Sequence, residues 1–180
     1  MKRIMMIAAM MVAVLGVSAQ NDDLKDEIGV YYGFGAASNI VSTIATALTA
    51  YSNSDQSGFW GPVGVEYYHH VTPVVALGAM ASVAGCKWGD NGEQKTQYYT
   101  LMPAIKFNYL RTSHFGMYSG VAAGIMYTNL SGKGDSDSKV NFMGQITGLG
   151  LEFGGQQLRG FTEFGFGERG MLTVGARYKF

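Results

Sequence analysis

The stretch LTVGARYKF, Leu172–Phe180, decides the fold of this chain. Its residues alternate in polarity with a period of two. One set is apolar and consists of Leu172, Val174, Ala176, Tyr178 and Phe180; the other set is Thr173, Gly175, Arg177 and Lys179. A period of two with one apolar set is typical of a β-strand whose two faces meet different surroundings.

The same alternation recurs upstream, and turn residues separate its blocks, so the sequence predicts about eight strands. Each block is at least about as long as the 9–11 residues that cross a bilayer at a tilt. The predicted strands are residues 28–37, 58–70, 74–85, 95–110, 115–128, 140–154, 158–166 and 170–180.

The connections between these strands alternate in length. Those at residues 71–73, 111–113 and 155–157 are tight, whereas those at 38–57, 86–94 and 129–139 are longer and polar; the last, 167–169, is short again. Short turns at one end and longer loops at the other are typical of transmembrane barrels. In the first long connection, Ile40, Ile44 and Leu48 follow helical spacing, which favours a short helix over an extension of the adjacent strands.

The composition supports a membrane barrel over a soluble domain. Charged residues make up 14% of the chain, against about 25% in typical soluble domains. No segment after the N-terminus is an apolar run long enough for a spanning helix, and low charge without such a run is what short alternating strands produce. The net charge is zero, which argues against a nucleic-acid partner.

The N-terminus has the pattern of an export signal. Lys2 and Arg3 precede an uncharged apolar run over residues 4–17, and Val17-Ser18-Ala19 supplies small residues for cleavage. We expect residues 1–19 to be a cleaved signal peptide and residues 20–180 to form the barrel. The alternative is an uncleaved anchor, but the run is shorter than the roughly 20 residues that span a bilayer.

The C-terminal strand also carries a family resemblance. Thr173, Gly175, Tyr178 and Phe180 match the terminal assembly signal of outer-membrane barrels, which has a polar residue, a glycine and two aromatics. The whole mature chain resembles the small eight-stranded family typified by outer membrane protein X and the membrane domain of outer membrane protein A. The resemblance implies an antiparallel up-and-down barrel, porin-like, in the outer membrane of a Gram-negative bacterium. It implies two partners, the outer-membrane lipid and the barrel-insertion machinery, and it names no extracellular partner.

The two faces of the strands can be assigned from their charge. The apolar set faces outward, because a soluble barrel of the lipocalin kind would need a charge-rich exterior. Aromatic residues near the short turns, among them Tyr67, Tyr68, Phe107 and Tyr178, are typical of an interfacial girdle. The opposite set is small or singly charged, and Gly148 and Gly150 fall in it.

Five charged residues of the inward set lie close to the short-turn end, and we expect them to form one cluster in the lumen: Glu66, Lys106, Glu152, Glu163 and Arg177. They sum to minus one, from three Glu, one Lys and one Arg. An unpaired buried charge costs several kcal/mol, so the five should pair. Arg177 suits the centre because its planar guanidinium can bind two carboxylates at once. A gated or selective pore is the alternative to such a plug.

Three classes of function fit this barrel: a structural or surface-interaction role, a narrow conduit for small or apolar solutes, and a lipid-modifying enzyme. The enzyme is disfavoured because His69, His70 and His114 all fall at short turns, away from the outer rim. We therefore predict no catalytic residue. Cys86 is the only cysteine and no metal-type spacing exists, so no metal or cofactor is expected.

Overall fold

The computed structural model describes residues 24–37, 56–88, 94–131 and 136–180. They form a closed antiparallel barrel in which each strand pairs with the next and the last pairs with the first. The strands are β1 (Asp26–Phe34), β2 (Gln56–His70), β3 (Val75–Trp88), β4 (Gln94–Arg111), β5 (Phe115–Ser131), β6 (Ser136–Gly154), β7 (Leu158–Gly167) and β8 (Leu172–Lys179). The predicted fold class, an all-β up-and-down barrel of eight strands, is confirmed.

All eight predicted strands are present, and their ends differ from the prediction by a few residues. The first strand ends at Phe34, and the fourth, fifth and sixth extend further than their polarity pattern indicated. The predicted signal peptide at 1–19 and most of the first long connection, with its predicted helix, lie outside the described residues. No helix within the described ranges is long and apolar enough to cross a membrane.

The barrel is closed by the pairing of β8 with β1. Gly29 lies opposite Arg177, and Glu27 lies opposite Lys179. At the edge of this seam the amide of Asp26 donates to the carbonyl of Phe180 at 2.9 Å, and the amide of Phe180 donates back to Asp26 at 2.8 Å. Strand β8 therefore closes the cylinder, and Phe180 lies at the end of the barrel that carries the short turns. We call this end the short-turn end.

The two faces of the wall have opposite polarity, as predicted. The apolar set points outward, and Val65, Leu101 and Val174 are 52%, 54% and 41% exposed. The alternate positions are buried in the lumen and include Glu66 and Lys106. This is the reverse of a soluble barrel, whose apolar side chains fill the interior.

One residue departs from its predicted face, and one aromatic residue does not belong to the predicted girdle. The register shifts between Thr147 and Leu149 in the pairing of β6 with β7. The extra residue, Gly148, is exposed on the exterior instead of lining the lumen, because a bulge adds one residue and reverses the parity beyond it. Tyr68 is buried in the lumen, so it belongs to the interior and not to an aromatic girdle.

The wall is taller on one side than on the other. Strands β4, β5 and β6 have 18, 17 and 19 residues, whereas β7, β8 and β1 have 10, 8 and 9. Strand β6 pairs with β7 only as far as Gln145, but it continues beside β5 as far as Ser136. The taller side extends away from the short-turn end.

The outward assignment predicts the effect of a charge placed on the wall. Arg at a midplane site that faces lipid costs roughly 2–4 kcal/mol and about 0–1 kcal/mol near the interface. We expect Val174→Arg to lower the free energy of unfolding in lipid bilayers, measured in urea, by about 2 kcal/mol or more. The matched control is Val140→Arg, because Val140 is also exposed but lies on the tall side of β6. A Val174→Arg variant as stable as the parent protein would contradict the assignment of the two faces.

Candidate functional site

The five charged residues predicted for the lumen come from five different strands. Glu66 lies on β2, Lys106 on β4, Glu152 on β6, Glu163 on β7 and Arg177 on β8. Each side chain is inward and almost completely buried. The barrel brings all five together in the half of the lumen nearer the short-turn end.

Arg177 lies at the centre of this group. Its Nη2 is 2.5 Å from Oε1 of Glu66 and 3.4 Å from Oε1 of Glu163, and its Nη1 contacts Oε1 of Glu152. The same Nη2 donates to the hydroxyl of Tyr118 at 3.3 Å, and the guanidinium carbon lies 4.1 Å from the centre of the Phe161 ring. The planar fork thus meets carboxylates at its edge and an aromatic ring at its face, which a lysine ammonium cannot match.

Three further charged side chains contact these five residues at or near the short-turn end. Glu27 contacts Lys106, and Lys179 donates to Oε2 of Glu152 at 2.6 Å. Arg159 lies 3.6 Å from the same Glu152 oxygen and donates to the carbonyls of Thr112 and Gly155, which joins two short turns. Parity with Arg177 and Glu163 would have found Lys179 and Arg159. The predicted first strand began at residue 28, so it left out Glu27.

The fourth additional member, Arg169, comes from the turn between β7 and β8. Its side chain folds into the lumen, where Nη2 lies 2.6 Å from Glu66 and Nη1 lies 3.2 Å from Glu163. Its amide donates to Oε1 of Gln145 at 2.9 Å, and its carbonyl accepts from the hydroxyl of Thr173 at 3.2 Å. Strand parity gives no information about a turn residue, so the sequence carried no signal for this placement.

We call these nine side chains the charge network. Its acids number four and its cations five, and Glu168, buried in the β7–β8 turn, brings the formal sum from plus one to zero. The members are Glu27, Glu66, Lys106, Glu152, Arg159, Glu163, Arg169, Arg177 and Lys179. The interior is therefore close to neutral, as a region of low dielectric requires.

The space enclosed by the described residues around Lys106 and Glu163 is small. A cavity of about 10 Å³ is bordered by Lys106, Tyr118, Thr147 and Glu163, which is room for about one water molecule. The hydroxyl of Tyr118 donates to Glu163 at 2.6 Å across this space. Further from the short-turn end, the lumen is occupied by Met80, Met102, Ala104 and Ala122.

The histidines and the cysteine lie apart from any catalytic or metal-binding arrangement in the described ranges. His69 and His70 end β2, and His114 lies in a short turn, as the sequence predicted. His69 Nδ1 is 2.8 Å from Asp26, and Cys86 is buried on β3. No group of three or more His, Cys, Asp or Glu side chains that could hold a metal ion occurs among the described residues.

Comparisons with known proteins give similarity in structure only. No protein-family model and no curated protein matches the chain. Among solved structures, the chain is similar to Ail, the attachment invasion locus protein of Yersinia pestis, with 14% identity, a TM-score of 0.48, and 87% of this chain and 97% of that chain covered. A second structure of Ail, in complex with the heparin analogue sucrose octasulfate, has 14% identity, a TM-score of 0.46 and the same coverage.

The N-terminal β-barrel domain of Pseudomonas aeruginosa OprF is similar at 15% identity and a TM-score of 0.47, with 87% of this chain and 97% of that domain covered. The closed barrel of eight strands has the architecture implied by the resemblance to small outer-membrane barrels.

The contacts of Arg177 predict an order of stability among variants. Arg177→Met removes the guanidinium from four carboxylates, those of Glu27, Glu66, Glu152 and Glu163. Each of them keeps a second cation nearby, and we expect a loss of about 3 kcal/mol. Glu163→Gln keeps a carbonyl oxygen that accepts from Tyr118, so we expect a smaller loss, on the order of 1 kcal/mol. Urea unfolding of the refolded proteins in the same detergent measures both values. Equal losses, or a larger loss for Glu163→Gln, would contradict the central position of Arg177.

Proposed function

We propose that this chain is an integral outer-membrane β-barrel protein of a Gram-negative bacterium, with a structural or surface-interaction role and a lumen closed by paired charges. One observation carries the proposal. The wall is apolar outside while its interior holds a buried ionic network. A soluble barrel, with water outside, would require the opposite distribution, a charge-rich exterior and an apolar interior.

The exterior supports a membrane environment. Tyr99 and Tyr127 are exposed toward one end of the wall, and Phe107 and Tyr178 toward the other. Eight residues separate Tyr99 from Phe107 along β4, which corresponds to about 20 Å at roughly 3.3 Å per residue and a tilt of about 40°. An apolar band of this height between two rows of aromatics is close to the roughly 25 Å of an outer-membrane barrel.

The protein reaches the outer membrane by export through its signal peptide, and the barrel is then assembled there. Residues 1–19 act as the signal peptide, so the mature protein begins at Gln20. The assembly signal lies on the closing strand, where Tyr178 and Phe180 point outward with ring centres 6.2 Å apart, and Thr173 points inward. The barrel-insertion machinery recognises this strand, and outer-membrane lipid surrounds the finished wall.

A closed lumen accounts for the interior better than the alternative of a narrow channel or conduit for small or apolar solutes. The network crosses the lumen from β1, β2 and β4 to β6, β7 and β8. An ion that entered would have to displace salt bridges that are already desolvated. An apolar solute would have to pass a layer of charges, which is equally unfavourable.

The role of the protein then lies at its outer surface and not in catalysis. The tall side formed by β4, β5 and β6 extends beyond the ends of β7, β8 and β1. It places polar strand ends such as Lys95 and Lys139, both exposed, farther out than the rest of the wall. This shape supports contact with a partner outside the cell.

Conductance in planar bilayers tests the closed lumen. We expect refolded protein to give no steady open pore at moderate voltage, because the charge network fills the cross-section. Circular dichroism of the same samples checks folding. A lack of conductance that is caused by misfolded protein is then not mistaken for a closed lumen. A stable, ohmic conductance would overturn the closed lumen and favour the conduit.

A further inference from the structure

The turn between β7 and β8 enters the lumen from the end opposite the short turns. It consists of residues 167–170, which we call the tip, and its Glu168 and Arg169 are almost completely buried. The backbone bends inward at Gly167 and Gly170, whose φ angles are 141° and 114°. Glycine adopts such angles readily and other residues rarely do. A residue that tolerates large changes of backbone angle thus lies at each end of the tip, which suits a hinge.

The wall of the barrel is shaped to receive the tip. A Cβ atom added to Gly33 on β1 would overlap the carbonyl oxygen of Arg169, so the tip packs directly on the backbone of that strand. From β6, Gln145 binds the tip twice. Its Oε1 accepts from the amide of Arg169 at 2.9 Å, and its Nε2 donates to the carbonyl of Gly170 at 3.3 Å. Two of the hydrogen bonds that hold the tip therefore come from one side chain.

The guanidinium of Arg169 occupies a site made of aromatic rings and carboxylates. Its central carbon lies 4.0 Å from the centre of the Tyr31 ring and 5.4 Å from that of Phe161. Its Nη1 lies 3.2 Å from Oε2 of Glu163, and its Nη2 lies 2.6 Å from Oε2 of Glu66. Aromatic faces with carboxylates at the edge are the surroundings that a guanidinium group prefers.

Arg169 does not satisfy this site fully. Its Nε and Nη2 make no hydrogen bond within the described part of the chain, and Oε2 of Glu66 has no donor there. The short distance between Nη2 and that oxygen is therefore an ion pair that lacks the direction of a hydrogen bond. Buried donors and acceptors without partners are costly. A guanidinium that is not tethered to the tip can turn until its N–H groups point at both carboxylates.

Withdrawal of the tip would leave a space that attracts a cation, which we call the cup. Glu168 and Arg169 have opposite charges and leave together, so the formal charge of the lumen does not change. Glu66 and Glu163 stay behind in contact with Arg177, at 2.5 Å and 3.4 Å. Two carboxylates beside one guanidinium leave a formal excess of minus one in the cup. Because Arg177 remains below, withdrawal opens a cup and not a channel.

We propose that the cup is a binding site for a guanidinium group, and that the tip is a hinged plug whose Arg169 occupies the site until a ligand displaces it. The ligand stacks on Tyr31 and Phe161. Its N–H groups donate to Glu66 and Glu163. A ligand that binds only when the tip is withdrawn shifts the tip outward by mass action. The proposal rests on the geometry of the lumen and holds whether or not the barrel lies in the outer membrane.

Arg169→Ala tests the binding site, because it empties the site and leaves the wall intact. The probe is guanidinium ion, titrated at constant ionic strength into the full chain refolded in a nonionic detergent, with binding followed by NMR. We expect the variant to bind at least about tenfold more tightly than the parent protein, in which only the fraction with a withdrawn tip is competent. Adding Glu163→Gln to the variant should weaken binding again.

Two further ligands define the chemistry of the site. Urea has the shape of guanidinium without its charge, and it should bind far more weakly. N-acetylarginine amide distinguishes the sources of the group: tighter binding than the free ion assigns the site to an arginine side chain, and weaker binding assigns it to a small cation. Absence of saturable binding to Arg169→Ala, equal affinity for variant and parent, or urea binding as tight as guanidinium binding would each overturn the site.

Hydrogen exchange of backbone amides tests the hinge on the intact chain. We expect the amide of Arg169 to exchange at least about a hundredfold faster than that of Arg177, whose strand is paired on both sides, because the tip opens without unfolding the barrel. Gln145→Leu removes both hydrogen bonds from Gln145 to the tip. It should accelerate exchange at Arg169, and tighten guanidinium binding, by about tenfold or more.

The matched control for Gln145→Leu is Asn108→Leu. Asn108 is also a buried amide side chain, and it donates to the carbonyl of Val74 at 3.3 Å, away from the tip. This variant should leave exchange at Arg169 and guanidinium binding unchanged. If Arg169→Ala does not fold, Gln145→Leu supplies the binding test, since it releases the tip with Arg169 in place. Exchange at Arg169 as slow as at Arg177, or no effect of Gln145→Leu, would overturn the hinge.

Discussion

A charge buried in a narrow lumen must have an opposite charge within reach, and the interior of this barrel depends on that constraint. Arg177 projects from the closing strand and meets carboxylates from β2, β6 and β7. The seam between β8 and β1 is thereby joined to other parts of the wall through the lumen as well as through backbone hydrogen bonds. Closure of the cylinder and neutralisation of its interior therefore support each other.

The second constraint is that every strand separates two different surroundings. The apolar outer set and the polar inner set exclude a one-residue slip of a strand, because such a slip would bury the apolar set and place the charges on the outer face. Bulges relieve the constraint locally, as Gly148 does in β6, without changing the faces of the residues that carry charge. The short strands β7, β8 and β1 form the low side of the wall, whereas the long strands β4, β5 and β6 continue beyond their ends.

Much of this architecture is encoded in local polarity, and could therefore be predicted. The period of two identified eight strands, and it placed Glu66, Lys106, Glu152, Glu163 and Arg177 on one face. It could not locate Arg169, since a turn has no parity, and the inward fold of that turn depends on contacts with Gln145 and Thr173. Gly148 was misplaced because a bulge is a tertiary adjustment, and Glu27 was missed because strand ends carry a weak signal.

The central claim is that Arg177 and the acids around it act as one coupled unit, and a double-mutant cycle between Arg177→Met and Glu66→Gln measures this directly. Unfolding free energies of the two single variants and the double variant, in one detergent, give the coupling energy. Residues in one salt-bridge network are expected to be coupled by about 0.5–3 kcal/mol, and this pair, 2.5 Å apart, should lie above about 1 kcal/mol. The control pair, Glu66→Gln with Lys95→Gln, should be additive. Additive losses for Arg177→Met and Glu66→Gln would contradict the claim that the buried charges hold the interior together.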